Sequence, residues 1–89
     1  DIEEILMAHP SVREAALIGV PDPALGQQPV AYVTARDGDT PDTETLVEFV
    51  NRRLERLLPK LSVLVLAEMP MTPTGKISKA QLLQQQAQS

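Results

Sequence analysis

The chain has 89 residues, with eight lysines and arginines against twelve acids, a formal net charge of −4 and no cysteine. A chain of this length forms one small domain and buries roughly 60 to 65% of its unfolded surface, too little to wrap a deep closed pocket. The lack of cysteine excludes disulfide frameworks and thiolate metal sites. A single histidine leaves little for zinc, two aromatic residues exclude a base-stacking platform for nucleic acid, and no apolar run approaches the ~20 residues of a membrane span.

The charge is divided along the chain. Residues 1–48 hold ten acids and two bases, a net of −8, whereas residues 49–89 hold two acids and six bases, a net of +4. Global acidity argues against nucleic acid, while the second half is able to face a small anion. The first residue is Asp1, helical pattern begins at once, and no signal peptide is visible. The chain therefore reads as a piece of a longer protein.

In chain order, Asp1 to Ala8 reads as a short helix, because Ile2, Ile5 and Leu6 share one face. Its acids Asp1, Glu3 and Glu4 sit where the helix dipole favours carboxylates, and His9-Pro10 stops it. Paired Glu3 and Glu4, like Asp37 and Asp39, lack partners for acid–base chemistry and read as structural, and His9 has no triad spacing. Val12 to Val20 reads as a strand whose run Ala15–Val20 is apolar enough to be buried on both faces. Pro21-Asp22-Pro23 is expected to break it, with Gly26-Gln27-Gln28 in the turn that follows. Pro29 to Ala35 reads as a second strand, with Val30, Tyr32 and Thr34 on one face and Ala31, Val33 and Ala35 on the other.

After the turn Asp37-Gly38-Asp39, Thr40-Pro41 is expected to open a longer helix. Leu46, Val47, Val50, Leu54, Leu57 and Leu58 recur at helical spacing and would form its buried face, before Pro59 ends it. Asp42 and Glu44 at its start and Arg52, Arg53 and Arg56 at its end suit the dipole. Val63 to Met69 reads as a third strand. Ser78-Lys79-Ala80-Gln81 is a capping box that predicts a last helix to about Gln86, docked by Leu82 and Leu83. The order α-β-β-α-β-α predicts an α+β fold, helices on a small sheet of about three strands, over residues 1–83, with residues 84–89 a Gln-rich tail.

The candidate for chemistry is the segment from Pro70 to Ser78. Two prolines stiffen it, Gly75 allows a tight turn or close approach to a ligand, and Lys76 follows as a mobile point charge. A helix N-terminus comes next, and together these parts suit a phosphate or a carboxylate. They do not form a Walker A loop, which needs glycine at position 70 and a hydroxyl at position 77, where Pro70 and Ile77 stand. From spacing alone the segment reads equally as a Pro-Gly turn before a capped helix with a solvated lysine.

Pro70-Met71-Thr72-Pro73-Thr74-Gly75-Lys76-Ile77, lying after an apolar strand and before a helix, resembles the last core motif of the adenylate-forming superfamily. That superfamily comprises acyl-CoA synthetases, adenylation domains of peptide synthetases, and luciferases. Asp1-Ile2-Glu3-Glu4-Ile5-Leu6 with His9-Pro10-Ser11-Val12, and Ala15–Pro23 with Gly26-Gln27 and Pro29–Val33, resemble the preceding segments of its C-terminal domain in the same order. The resemblance implies a mobile C-terminal domain that swings on a large N-terminal AMP-binding domain. The whole enzyme would be a cytoplasmic ligase using ATP and Mg2+ to convert a carboxylic acid to an acyl-adenylate. It would then pass the acyl group to coenzyme A or, alternatively, to a carrier-bound phosphopantetheine.

Lys76 would be the lysine of the adenylation step, and Thr72, Thr74 and Gly75 would shape its loop. The chain itself would hold no metal and, alone, would be inactive. Leu58-Pro59-Lys60-Leu61-Ser62 departs from the family's Tyr-Lys-x-Pro-like stretch, and the motif leans towards acyl-CoA synthetases. The rival reading is a non-enzymatic interaction module that docks through Arg52, Arg53 and Arg56.

Overall fold

The computed structural model describes residues 1–24, 26–54 and 61–87. Its elements are α1 (Ile2–Met7), β1 (Val12–Asp22), β2 (Gly26–Ala35), α2 (Thr43–Arg53), β3 (Ser62–Leu66) and α3 (Lys79–Ala87). The order is α-β-β-α-β-α, and the sheet is mixed with strand order β1-β2-β3, so this is an α+β fold. β1 and β2 pair antiparallel from Glu14 opposite Thr34 to Asp22 opposite Gly26. β2 and β3 pair parallel from Val30 beside Ser62 to Thr34 beside Leu66.

β2 lies in the middle and is buried from Val30 to Thr34. A strand covered on both faces must be apolar at successive positions rather than at alternate ones. Its two faces feed two cores. Ala31 and Val33 join Leu6, Val12, Ala15, Leu46, Val50, Leu61 and Val63 under α1 and α2. Val30 and Tyr32 join Ala16, Ile18, Met69 and Leu82 under α3. The alternation expected for Pro29–Ala35 and the two-sided burial expected for β1 are both present. A register shift between Val12 and Glu14 inserts one residue, which lets Val12 and Ala15 face the same core across an odd spacing.

Several boundaries differ from the sequence reading. β1 continues through Pro21 to Asp22, and β2 starts at Gly26 rather than Pro29. β1 is an edge strand, where a missing N–H need not break the ladder, and Gly26 takes the left-handed φ of 81° at the turn. α2 starts at Thr43, not at Thr40-Pro41. Asp42 is its extended N-cap, with its carbonyl accepting from Leu46 N–H and its carboxylate from the Thr45 hydroxyl. That start aims Leu46 and Val50 into the core.

α2 also ends early. Leu54 is already extended, so the helix stops at Arg53; Leu57, Leu58, Pro59, Lys60 and Arg56 lie outside the described residues. An 11-residue helix spans ~16 Å, which matches the ~17 Å of the five-residue strand it leads into. The crossover between parallel β2 and β3 needs no longer helix. β3 itself closes at Leu66 instead of Met69, and Met69 turns into the second core.

Candidate functional site

The segment between β3 and α3 is a miniature hairpin. Met71 bridges Ile77 antiparallel, Thr72 N–H donates to the Lys76 carbonyl at 2.7 Å, and Gly75 N–H donates to the Thr72 carbonyl at 3.0 Å. The three tip residues are therefore Pro73, Thr74 and Gly75. A three-residue hairpin loop is a β-turn followed by a left-handed residue, and Gly75 supplies it with φ 84°. Pro73 at the second position of the turn presets φ there. A Cβ at Gly75 would meet nothing within 4 Å, so the glycine is required by backbone angle and not by space.

Side chains lock the same turn. Thr72 Oγ1 accepts from Lys76 N–H at 3.1 Å and lies 3.0 Å from Thr74 Oγ1. Thr72, Thr74, Gly75 and Lys76, singled out in the sequence, thus meet within one five-residue turn, the threonines bracing the backbone that carries the lysine. Pro73 to Lys76 are exposed. Among the described residues the ion pairs are Arg13–Glu14, Arg52–Glu48 and Lys79–Glu3, and none reaches Lys76. A stiff tip thereby presents an uncommitted cation.

The base of the hairpin is joined to α3. Ser78 N–H donates to the Pro70 carbonyl at 2.8 Å, and Ser78 Oγ accepts from Gln81 N–H at 3.2 Å. The serine half of the expected capping box is made; the Ser78 N–H that the box would offer to Gln81 closes the hairpin instead. Leu82 seats α3 on the sheet, whereas Leu83, expected to dock beside it, faces outward because it lies on the next position around the helix; at the far end the Tyr32 hydroxyl donates to Gln86 Oε1 at 2.7 Å. Burial of that hydroxyl raises the Tyr32 pKa above 10.0. The helix runs on into the segment read as a Gln-rich tail.

At the near end of α3, Lys79 Nζ lies 2.8 Å from Glu3 Oε2, which also accepts from Leu17 N–H at 2.8 Å. The Lys79 hydrogen bond, followed by that from Leu17, holds the Glu3 carboxyl below its ordinary value of 4.5. Sequence reasoning missed this junction. It placed Glu3 in a helix-start acid pair, and nothing local points to a lysine 76 positions away.

Several other titratable groups are engaged away from the hairpin. Asp1 caps α1 through Glu4 N–H. His9 Nδ1 takes up Ser11 N–H at 3.1 Å and its ring meets Phe49 edge-on, which closes the turn into β1. Arg52 pairs with Glu48 at 3.8 Å, and Arg53 stacks on Phe49 with its guanidinium 3.6 Å from the ring centre. Among the described residues no group of three or more His, Cys, Asp or Glu lies together to hold a metal, and no helix is long and apolar enough to cross a membrane. A shallow depression of about 320 Å³ beside Gly19, Lys79 and Leu83 is open to solvent and does not enclose a ligand.

Comparison with known proteins agrees with this geometry. The profile of the family described as "AMP-binding enzyme C-terminal domain" matches residues 1–76, up to and including the hairpin lysine. A sulfoacetate–CoA ligase of Cupriavidus necator is 42% identical over 83 residues, 93% of this chain and 16% of that protein. The amide bond synthetase McbA of Marinactinospora thermotolerans superposes with a TM-score of 0.84 at 39% identity, over 94% of this chain and 17% of that one. ATP-bound MatB of Rhodopseudomonas palustris superposes with a TM-score of 0.86 at 27% identity, again over 94% and 17%. The chain therefore spans about a sixth of the length of the proteins it matches.

Proposed function

The chain belongs to the family of AMP-binding enzyme C-terminal domains, and from that premise we propose that it is the C-terminal domain of a longer ATP-dependent acid–thiol ligase of the acyl-CoA synthetase type. In the proposed reaction a carboxylate oxygen attacks the α-phosphorus of ATP, forming the acyl-adenylate and expelling pyrophosphate. The thiol of coenzyme A then attacks the acyl carbonyl and AMP leaves. The large N-terminal AMP-binding domain would supply the acyl pocket and most contacts to ATP. Mg2+ would neutralise phosphate charge when bound, and no ligand set for it gathers among the described residues. A cytoplasmic setting goes with the cysteine-free sequence.

The observation that carries this reading is the free Lys76 directly after the tip of a braced hairpin. Carboxylate and α-phosphate repel one another as they meet. A cation brought between them, in a site closed to water by the docked domains, offsets that repulsion and the charge growing on the phosphate oxygens. Lysine suits a group that must arrive and depart, because its stem is flexible and its charge compact. The hairpin fixes where the stem begins, and Thr72 and Thr74 hold that origin still. The rival docking module gains little from the described part of the basic helix end, since Arg52 and Arg53 are committed within α2.

In the full-length protein, Lys76→Ala is expected to slow ATP–pyrophosphate exchange by about 10²-fold or more, some 3 kcal/mol, and to spare transfer from a supplied acyl-adenylate. Equal loss in both half-reactions would remove the role assigned to Lys76. The isolated chain is expected to show no exchange at all. The acceptor is settled by the second half-reaction with coenzyme A, a phosphopantetheinyl carrier protein or a primary amine. The amine belongs in that set because of the likeness to an amide bond synthetase.

A further inference from the structure

We propose that Glu3 and Lys79 form a clasp that positions the hairpin and thereby aims Lys76, so that both are positioning residues for the adenylation step; the proposal rests on the role assigned to Lys76 above. The hairpin leaves the body of the domain by two routes. One is Met69, buried in the second core, and the other is α3, which starts one residue after Ser78 closes the hairpin base. The set of the hairpin therefore follows the set of α3 together with Ile77, which packs half-buried on the second core.

Three contacts of different kinds help to seat α3. Leu82 is fully buried near its middle, Gln86 bonds Tyr32 at its far end, and Lys79 bonds Glu3 at the end that adjoins the hairpin. Apolar contact is not directional, so burial of Leu82 holds the helix on the sheet but leaves it free to roll about its axis. The bond at Gln86 lies seven residues from Lys79 and exerts little control over the near end. Among the described residues the Lys79–Glu3 contact is the ion pair at that end, where Ile77 also packs on the second core, and Glu3 is itself pinned.

Its carboxylate is held in place by the backbone of β1. The Leu17 N–H belongs to the edge strand and donates to the same oxygen, Oε2, that receives Lys79. A charge-assisted bond to a carboxylate already oriented by a strand amide is directional at both ends. The chain of contacts runs from β1 through Glu3 and Lys79 to Ser78, the hairpin base and Lys76. A displacement of about 1 Å at a reacting group can lower a rate by about 10²-fold, so partial loosening at the helix end should give a smaller loss of the same kind.

The experiment uses the full-length protein, with the carboxylate from a panel of acetate, malonate and octanoate that supports the fastest exchange. Lys79→Met keeps the aliphatic stem and removes the charge; Glu3→Gln keeps an acceptor for Leu17 N–H and removes the ion pair. Each is expected to lower kcat of ATP–pyrophosphate exchange by about 5- to 20-fold, with KM values within about twofold. Transfer from the supplied acyl-adenylate should stay within about twofold, and Lys79→Arg should recover most of the exchange. Because the clasp acts through Lys76, adding Lys79→Met to Lys76→Ala should cost no further exchange.

Three results would overturn the proposal while leaving the lysine's role intact. They are unchanged exchange in both clasp variants, a parallel fall in transfer, or a double variant whose loss is the product of the single losses. Should Lys76→Ala itself leave exchange intact, the adenylation reading falls and the clasp proposal falls with it. If Lys79→Met does not fold, Glu3→Gln carries the same set of measurements.

Discussion

Lys76 and Lys79 stand three residues apart, carry the same charge and flank the same helix start, yet the fold uses them in opposite ways. Lys79 is bound to Glu3 at 2.8 Å and ties α3 to α1 and β1. Lys76 stands on a hairpin whose backbone is fastened by four hydrogen bonds and whose ammonium has no partner among the described residues. One lysine is spent on holding the domain together, and the other is kept available by a turn that needs no help from its side chain. A residue whose substitution harms chemistry but not folding belongs at the second kind of position.

Four substitutions would break or sharpen that contrast. Leu82→Ala should have the largest effect, about 2–5 kcal/mol, because a fully buried leucine is removed from under α3 and both lysines lose their support; urea unfolding of the chain measures it. Gly75→Ala should come next, at about 1–2 kcal/mol, since the left-handed φ of 84° is strained for any residue with a Cβ. A loss of less than half that would mean the turn relaxes, and the tip is softer than its hydrogen bonds imply.

Glu3→Gln should cost about 1 kcal/mol, the pair being partly exposed and screened. This loss depends on pH. The folded-state pKa of Glu3 is lowered from 4.5, so its contribution is fully present above that ordinary value and disappears as pH falls through the lowered one. Unfolding curves of the wild type and Glu3→Gln should therefore separate at pH 7 and draw together as pH falls below 4.5. A gap that persists in acid would show that the ion pair is not its source. Lys76→Ala should be the smallest, within about 0.5 kcal/mol of wild type. A greater destabilisation would mean that Lys76 is committed to the fold and would erase the contrast with Lys79.

The turn before Lys76 was legible in the sequence, though not the pairing that makes it a hairpin, because the instructions for a turn are local. Proline presets one angle of the turn, glycine permits the next, and threonine hydroxyls reach amides a few residues on. Ser78 as the cap of α3 was legible for the same reason, and so were the two faces of β2, which follow from strand alternation. The clasp was not legible. Glu3, Leu17 and Lys79 come from three elements, and their meeting depends on how α1 and α3 lie against β1. The extension of β1 through Pro21 was hidden because a proline breaks a central strand and is tolerated on an edge, and sequence does not announce which strand is the edge.

The sequence by itself determined the order of elements, many of the residues that face the two cores and the turn that holds up Lys76. Each depends on angles and spacings within a few residues. Only the tertiary structure decided that β3 lies parallel to β2, that α2 stops at Arg53, and that Lys79 is bound while Lys76 is left free. Those outcomes depend on contacts between residues tens of positions apart, which form only when burial of two separate cores brings their elements together.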